Sequence, residues 1–270
     1  MKLSRFTRAG LATFAACVVF FLIAPLLVIL LFAFDASNVQ TFPIHHWTTY
    51  WFSVAWHDPA VRSALWLSVK AGVLATAIAL ILGTMVAFGI HRYRFFGRDT
   101  VSLLLVLPIA LPGIVTGLAL QSAFNLVGIP FSIYTIVIGH ATFCIVVVFN
   151  NVVARLRRTS TSLMEASADL GASPLQTFRL VTLPTISTAV IAGGLLAFAL
   201  SFDEVIVTTF TAGAQNTLPL WIFGAIRLGQ QLPEVNAVVV GVVLLTLIPI
   251  AFAARMSSGE GTGRSTRSSI

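Results

Sequence analysis

Six apolar stretches, each about 20 residues or longer, dominate this chain: residues 11–34, 63–90, 101–122, 131–153, 186–209 and 235–254. An α-helix rises about 1.5 Å per residue, so roughly 20 apolar residues cross the hydrocarbon core of a bilayer. Composition points the same way. The chain is 57% apolar and 9% charged, against about 25% charged in a soluble domain. The fold class that follows is an all-α polytopic membrane protein with six transmembrane helices.

Residues 1–10 carry Lys2, Arg5 and Arg8 and precede the first run. That run, 24 residues over 11–34, is too long for the core of a signal peptide. No small-x-small cleavage site follows it, so it is expected to remain as an uncleaved span. Residues 35–61, which precede a core of residues 61–254, lack lysine and arginine. They contain His45, His46, Trp47, Tyr50, Trp51, Trp56 and His57. Without cysteines or a carboxylate cluster beside the histidines, no metal site is expected there. The aromatic rings read as an interfacial belt, with Trp51 a candidate for stacking on a substrate.

Within 61–254, Lys70 lies near the outer end of the second run, where its long stem lets the ammonium snorkel outward. Pro108 and Pro112-Gly113 interrupt the third run, a pattern tolerated where a cavity or neighbouring helix accepts the freed carbonyls. His140, in the fourth, reads as a hydrogen-bonded structural histidine, since a proton relay wants a carboxylate in series. Gly193-Gly194 in the fifth predicts close helix packing. Asp203 and Glu204 interrupt the same run. A carboxylate at mid-membrane costs about 2.5–3.5 kcal/mol on insertion scales, so the pair must face protein or water. They are candidate substrate-path residues; pairing with Arg227, or a polar patch at the outer boundary, is the structural alternative. Residues 208–231 form an outer segment whose apolar part is too short to span. Cys17 and Cys144 both lie in apolar runs, so neither a disulfide nor zinc binding is expected. Residues 255–270, rich in Ser, Gly and Arg, read as a disordered cytoplasmic tail.

Positive charge sets the orientation. Thirteen of the 16 basic residues fall on one side of the membrane if six spans leave both termini inside: Lys2, Arg5, Arg8, Arg92, Arg94, Arg98, Arg155, Arg157, Arg158, Arg179, Arg255, Arg264 and Arg267. The net charge of +7 is therefore a topology signal and not a sign of nucleic-acid binding. The same count puts residues 160–184 in the cytoplasm.

That stretch is the one long amphipathic segment. Ser162 and Glu165 have capping-box spacing. Leu163, Ala166 and Leu170 share a helical face, and Gly171 sits where a left-handed turn would end the helix. Ser173-Pro174 restarts a second helix, edged by Phe178 and Val181 and expected to stop at Pro184. Glu165-Ala166-Ser167, Gly171, Phe178 and Leu183-Pro184 resemble the EAA loop of bacterial ABC-importer permeases, with serine at 167 where alanine is usual. The resemblance implies a type I ABC-importer permease fold. It also implies that Glu165, Ala166 and Gly171 belong to a coupling helix seated in a cytoplasmic ATPase.

The resemblance extends over roughly residues 20–255. HATFCIVVV, SFDEVIVTTFTAG, TLPLWIF and LPEVNAVVV resemble spermidine/putrescine permeases. In that group the acid at Asp203 lies in the path of a cationic substrate. A departure is Gly113, where the group can carry an aspartate after the proline. The implied function is the permease subunit of an ATP-driven importer in the bacterial inner membrane. Its implied partners are an ABC ATPase dimer, a second homologous permease, a periplasmic substrate-binding protein and the lipid bilayer. Thiamine, iron or aminophosphonate transport is the alternative within the family. No cofactor is implied. The sequence has no P-loop, no HExxH pair and no nucleophile elbow, so any ATP hydrolysis belongs to another chain. An ion-driven secondary transporter would want inverted repeats and charges in several spans, which are not evident. A membrane-embedded enzyme would want a nucleophile–base pair.

Overall fold

The computed structural model describes residues 4–258 apart from 94, 161, 230 and 231, with side chains described to residue 246. Most of the expected tail, residues 259–270, lies outside the described residues. Among those described there are helices and a single isolated bridge, Asp35 to Trp47.

The chain divides into two compact units, residues 1–62 with 224–270, and residues 63–223. The first contains α1 (Arg5–Phe32), α2 (Tyr50–His57) and α12 (Leu232–Ser258). Ser4 caps α1 by accepting the Thr7 N–H at 3.1 Å. Apolar on every side and with no buried residue, α1 has the surface of a helix meant for a nonpolar surround. Its C-terminal end is fastened to the outer loop. Thr48 N–H donates to Phe34 O at 2.8 Å, Ala36 N–H to His46 O at 3.0 Å, and the Trp51 indole to Asp35 O at 2.9 Å. α12 packs on both α1 and α2.

The second unit contains most of α3 (Pro59–Arg92), then α4 (Arg98–Ala110), α5 (Gly113–Leu126) and α6 (Ile133–Leu156). Next come α7 (Ser162–Asp169), α8 (Pro174–Thr177), a π-helical turn (Phe178–Thr182), α9 (Leu183–Asp203) and α10 (Ile206–Thr211). α11 (Leu218–Leu228) begins in this unit, where the Leu218 N–H donates to Ser68 Oγ of α3 at 2.8 Å.

α6 is the central helix. Cys144, Val148, Phe149, Val152 and Leu156 are buried among Ala79, Ala87, Ile186 and Ala197 of α3 and α9. Between apolar helices in lipid, attraction comes from close van der Waals fit, so small residues sit at the contacts. A Cβ on Gly83 would fall 2.9 Å from Ile145 O, and one on Gly193 would fall 3.3 Å from Val148 Cα. The Gly193-Gly194 reading is borne out: Gly194 faces Leu80 of α3 in the same way, 3.2 Å from Leu80 Cδ2.

Two expected spans differ in form. The third is not one helix: α4 and α5 meet at 103°. Pro112 forces Leu111 out of the helical region (ψ 144°), whereas Pro108 is carried inside α4. The fifth starts earlier and ends earlier than 186–209. It runs without interruption from Pro174 to Asp203, 30 residues. Pro184 does not stop it. It lies in the first turn of α9, just after the π turn, in which Leu183 N–H donates to Phe178 O. At the far end the helix breaks at Glu204, whose ψ of 113° is extended, and resumes as α10.

Among the described residues, four helices are long and apolar enough to cross a membrane, five if α4 and α5 form one crossing. Lys70 is exposed and its ammonium lies 5.3 Å from the ring centroid of Trp66, one turn earlier in α3, the direction expected of a snorkelling lysine.

α5 and α10 dock through Gly113 and Gly117, which face Ile206 and Phe210. A Cβ at Gly117 would come 2.5 Å from Phe210 Cδ2. Gly117→Leu is therefore expected to destabilise the protein by about 1–3 kcal/mol. Gly89→Ala, where a Cβ meets nothing within 4 Å, should leave the melting temperature of the detergent-solubilised protein unchanged or slightly raised. Equal melting temperatures for the two variants would contradict the close packing of α5 on α10.

Candidate functional site

Two places carry polar chemistry in the second unit. The first is the helix pair at 162–182. α7 ends in a left-handed Gly171 (φ +81°), with Ala172 N–H donating to Ser167 O at 3.1 Å and Gly171 N–H to Ala168 O at 2.9 Å. This is the Schellman arrangement, which glycine enters without strain. A Cβ at Gly171 would meet nothing within 4 Å, so the backbone angle, not crowding, makes glycine suitable. Ser173 then caps α8. Its N–H donates to Gln176 Oε1 at 2.8 Å, and its Oγ accepts Gln176 N–H at 3.4 Å, with Pro174 in the first turn. Ser162 stands inside α7 and not before it, and its N–H donates to Ser160 Oγ at 3.3 Å.

Ser167 and Thr177 join the two helices through a 2.9 Å hydroxyl–hydroxyl bond, with Thr177 buried. The serine that departs from the EAA pattern is thus half of a cross-link. Phe178 sets its ring edge-on to Phe88 of α3, centroids 5.4 Å apart. Arg155 Nε donates to Thr185 O at 3.2 Å, tying the end of α6 to the start of α9. Glu165, Ala166 and Gly171 are all exposed. So are Leu163, Leu170, Leu175 and Leu180, with Leu170 89% accessible.

The second place is the break between α9 and α10. Glu204 Oε1 accepts the Val207 N–H at 2.9 Å, and its carbonyl accepts Thr208 Oγ1–H at 2.6 Å. Asp203 is exposed at the last residue of α9, and its carboxylate makes no hydrogen bond among the described residues. His140 of α6 is buried beside the break. Its Nδ1 lies 2.7 Å from Ser201 Oγ and its Nε2 lies 2.8 Å from Thr208 Oγ1. Thr135 Oγ1 donates to Thr211 O at 2.7 Å, fixing the far end of α10. The other break is adjacent. A Cβ on Gly113, the first residue of α5, would lie 3.3 Å from Ile206 Cγ2, at the first residue of α10.

The structure thus brings Asp203 and Glu204 to one break, and Glu165, Ala166 and Gly171 to one short helix pair. Trp51 belongs to the other unit, where it pins the outer loop; its ring also meets Tyr50 edge-on at 5.3 Å. Ser201 and Thr208 escaped sequence reasoning. Their only signal was two hydroxyls flanking an acid pair in an apolar run. Glu234, in the first turn of α12 and 1% exposed with Oε1 unpartnered, was also missed, since the sixth run was read as beginning after it.

Residues 79–257 match the family model described as "Binding-protein-dependent transport system inner membrane component". The chain belongs to that family. This permease is 37% identical over 225 residues to the putrescine transport system permease protein PotI of Escherichia coli K12, covering 80% of this chain and 79% of PotI. It is 32% identical over 253 residues to the spermidine/putrescine transport system permease protein PotC of the same strain, covering 92% of each. The fold matches a bacterial ABC transporter that imports the acidic polysaccharide alginate, with TM-score 0.68 at 17% identity, over 97% of this chain and 100% of that one. The permease is therefore a polytopic inner-membrane transport component and not an enzyme, with the fold of ABC-importer permeases.

Because the Ser167–Thr177 bond is one of few links between α7 and α8, Ser167→Ala is expected to cost about 0.5–1.5 kcal/mol locally. Amide hydrogen exchange in α7 should quicken by up to about tenfold while α6 stays protected. Unchanged exchange would remove the bond from the account.

Proposed function

We propose that this permease forms the transmembrane path for a small cationic solute, a polyamine such as putrescine or spermidine. In this reading it is driven by a separate ATPase dimer docked at 162–182. The observation that carries the substrate class is Asp203: an exposed carboxylate, without a hydrogen bond among the described residues, at a helix break inside an apolar segment. Glu204 spends one carboxylate oxygen on capping α10, which leaves Asp203 the less engaged of the two carboxylates and the first partner for an ammonium. A carboxylate in a site of reduced dielectric attracts a cation far more strongly than it would in water. The names of PotI and PotC support the same class of solute.

The coupling role rests on the exposed leucines. Leu163, Leu170, Leu175 and Leu180 are exposed on the same segment as Glu165, which the charge count puts in the cytoplasm, where apolar surface needs a protein to cover it. The full assembly in this reading has six spans with both termini cytoplasmic, α4–α5 and α12 supplying the remaining two. A second homologous permease and a periplasmic binding protein complete it.

Two variants test the reading in proteoliposomes holding the complete transporter. Asp203→Asn is expected to raise the KM for putrescine about tenfold or more, the scale of one lost charge-assisted contact. An unchanged KM would make the acid structural. Glu165→Ala is expected to weaken ATPase docking and lower ATP-driven uptake, with normal membrane insertion. Uptake at the unmodified rate would take Glu165 out of the coupling interface.

A further inference from the structure

We infer that His140 is a positioning residue, a clamp that holds the α9–α10 break open and thereby sets how Asp203 and Glu204 are presented to the cation. The inference rests on the cation-path reading above for its link to transport, but the clamp itself rests on geometry.

Ser201 and Thr208 are seven residues apart. In an unbroken helix they would be separated by about 10 Å along the axis. An imidazole with a hydrogen bond at each nitrogen spans at most about 8 Å. His140 bonds both hydroxyls, at 2.7 and 2.8 Å, one on each side of the break, so a single imidazole fixes the spacing of the two flanks. If α9 and α10 straightened into one rod, the two Cα atoms would move to that spacing of about 10 Å and the pair of bonds would be stretched.

Donor accounting fixes the direction of the chain. Thr208 has one hydroxyl proton, given to Glu204 O at 2.6 Å. The Nε2 of His140 therefore donates to Thr208 Oγ1. A neutral imidazole has one donor and one acceptor, so Nδ1 accepts from Ser201. The relay runs from Ser201 through His140 and Thr208 to the carbonyl of Glu204, one of the backbone groups the break exposes. Ser201, His140 and Thr208 are 3%, 1% and 0% exposed, so no water replaces a lost partner cheaply. Gly139, beside His140, lets α10 approach: a Cβ there would be 3.1 Å from Val207 Cγ1. The imidazole is therefore held against the break from the adjoining turn as well.

The test uses the complete reconstituted transporter with putrescine as probe, and the variants Ser201→Ala, Thr208→Val and His140→Leu, with Thr208→Ser as the conservative rescue. Two readouts are taken. Hydrogen exchange of amides in residues 204–211 is expected to quicken on the order of tenfold in the first three variants and to return toward the parent in Thr208→Ser. The KM for putrescine is expected to rise in Ser201→Ala and His140→Leu, and to rise no further when either is added to Asp203→Asn. Exchange at the parent rate overturns the clamp. Faster exchange with a KM effect that adds fully to that of Asp203→Asn overturns positioning, because a merely structural loss acts independently of the acid. If Asp203→Asn alone leaves KM unchanged, the cation reading fails, and the exchange readout still decides the clamp. Should His140→Leu fail to assemble, Ser201→Ala and Thr208→Val give the decision.

Discussion

A helix that breaks inside a membrane leaves backbone carbonyls and amides without partners, and lipid offers none. The second unit of this permease is built around meeting that requirement at two adjacent breaks. At Glu204 the side chain caps the restarting helix, Thr208 returns a proton to the exposed carbonyl, and His140 ties both flanks together. The neighbouring break at Leu111-Pro112 is made by proline, which has no N–H and so needs no acceptor at its own nitrogen. Glycine at 113 and 117 then lets α5 lie against α10. The polar groups are expensive in this setting. Their arrangement partners the Val207 N–H and the Glu204 carbonyl and leaves one carboxylate of the break, Asp203, exposed.

The segment at 162–182, proposed above as the coupling element, solves a different problem. It must present apolar surface outside the membrane and still keep its shape before a partner covers it. Shape comes from local chemistry: a Schellman turn at Gly171, a reciprocal cap at Ser173 and Gln176, and the Ser167–Thr177 bond. Phe178 on Phe88 and Arg155 on Thr185 then join it to α3 and α6. A displacement at the exposed leucines thus has two physical routes into neighbouring helices, besides the continuous backbone into α9.

Sequence legibility varied with the range of the interaction. Gly171 and the Ser173-Pro174 restart were readable because turn chemistry is local. The apolar runs were readable because hydrocarbon imposes their length. The close approach at Gly193-Gly194 was readable because few other roles suit adjacent glycines in a span. The shape of the third run was not, since proline in membrane helices ranges from harmless, as at Pro108, to a 103° corner at Pro112. Pro184 was misread for a related reason. A proline that follows helical residues ordinarily ends them, but a π turn widens the ladder just enough to carry the chain past it. His140 was read as hydrogen-bonded, yet its partners lie 61 and 68 residues away, a distance no spacing rule reaches.

The uninterrupted course from Pro174 to Asp203 has a mechanical consequence. Thirty residues at about 1.5 Å each make a rod near 45 Å long. Its foot is the second half of the proposed coupling element and its head is Asp203. Tilting such a rod by about 5° at the foot sweeps the head through roughly 4 Å, comparable to the width of a methylene chain. Under the proposed coupling, a lever of this length needs no relay of small rearrangements to turn a modest nudge at residues 174–177 into opening or closing at the carboxylate.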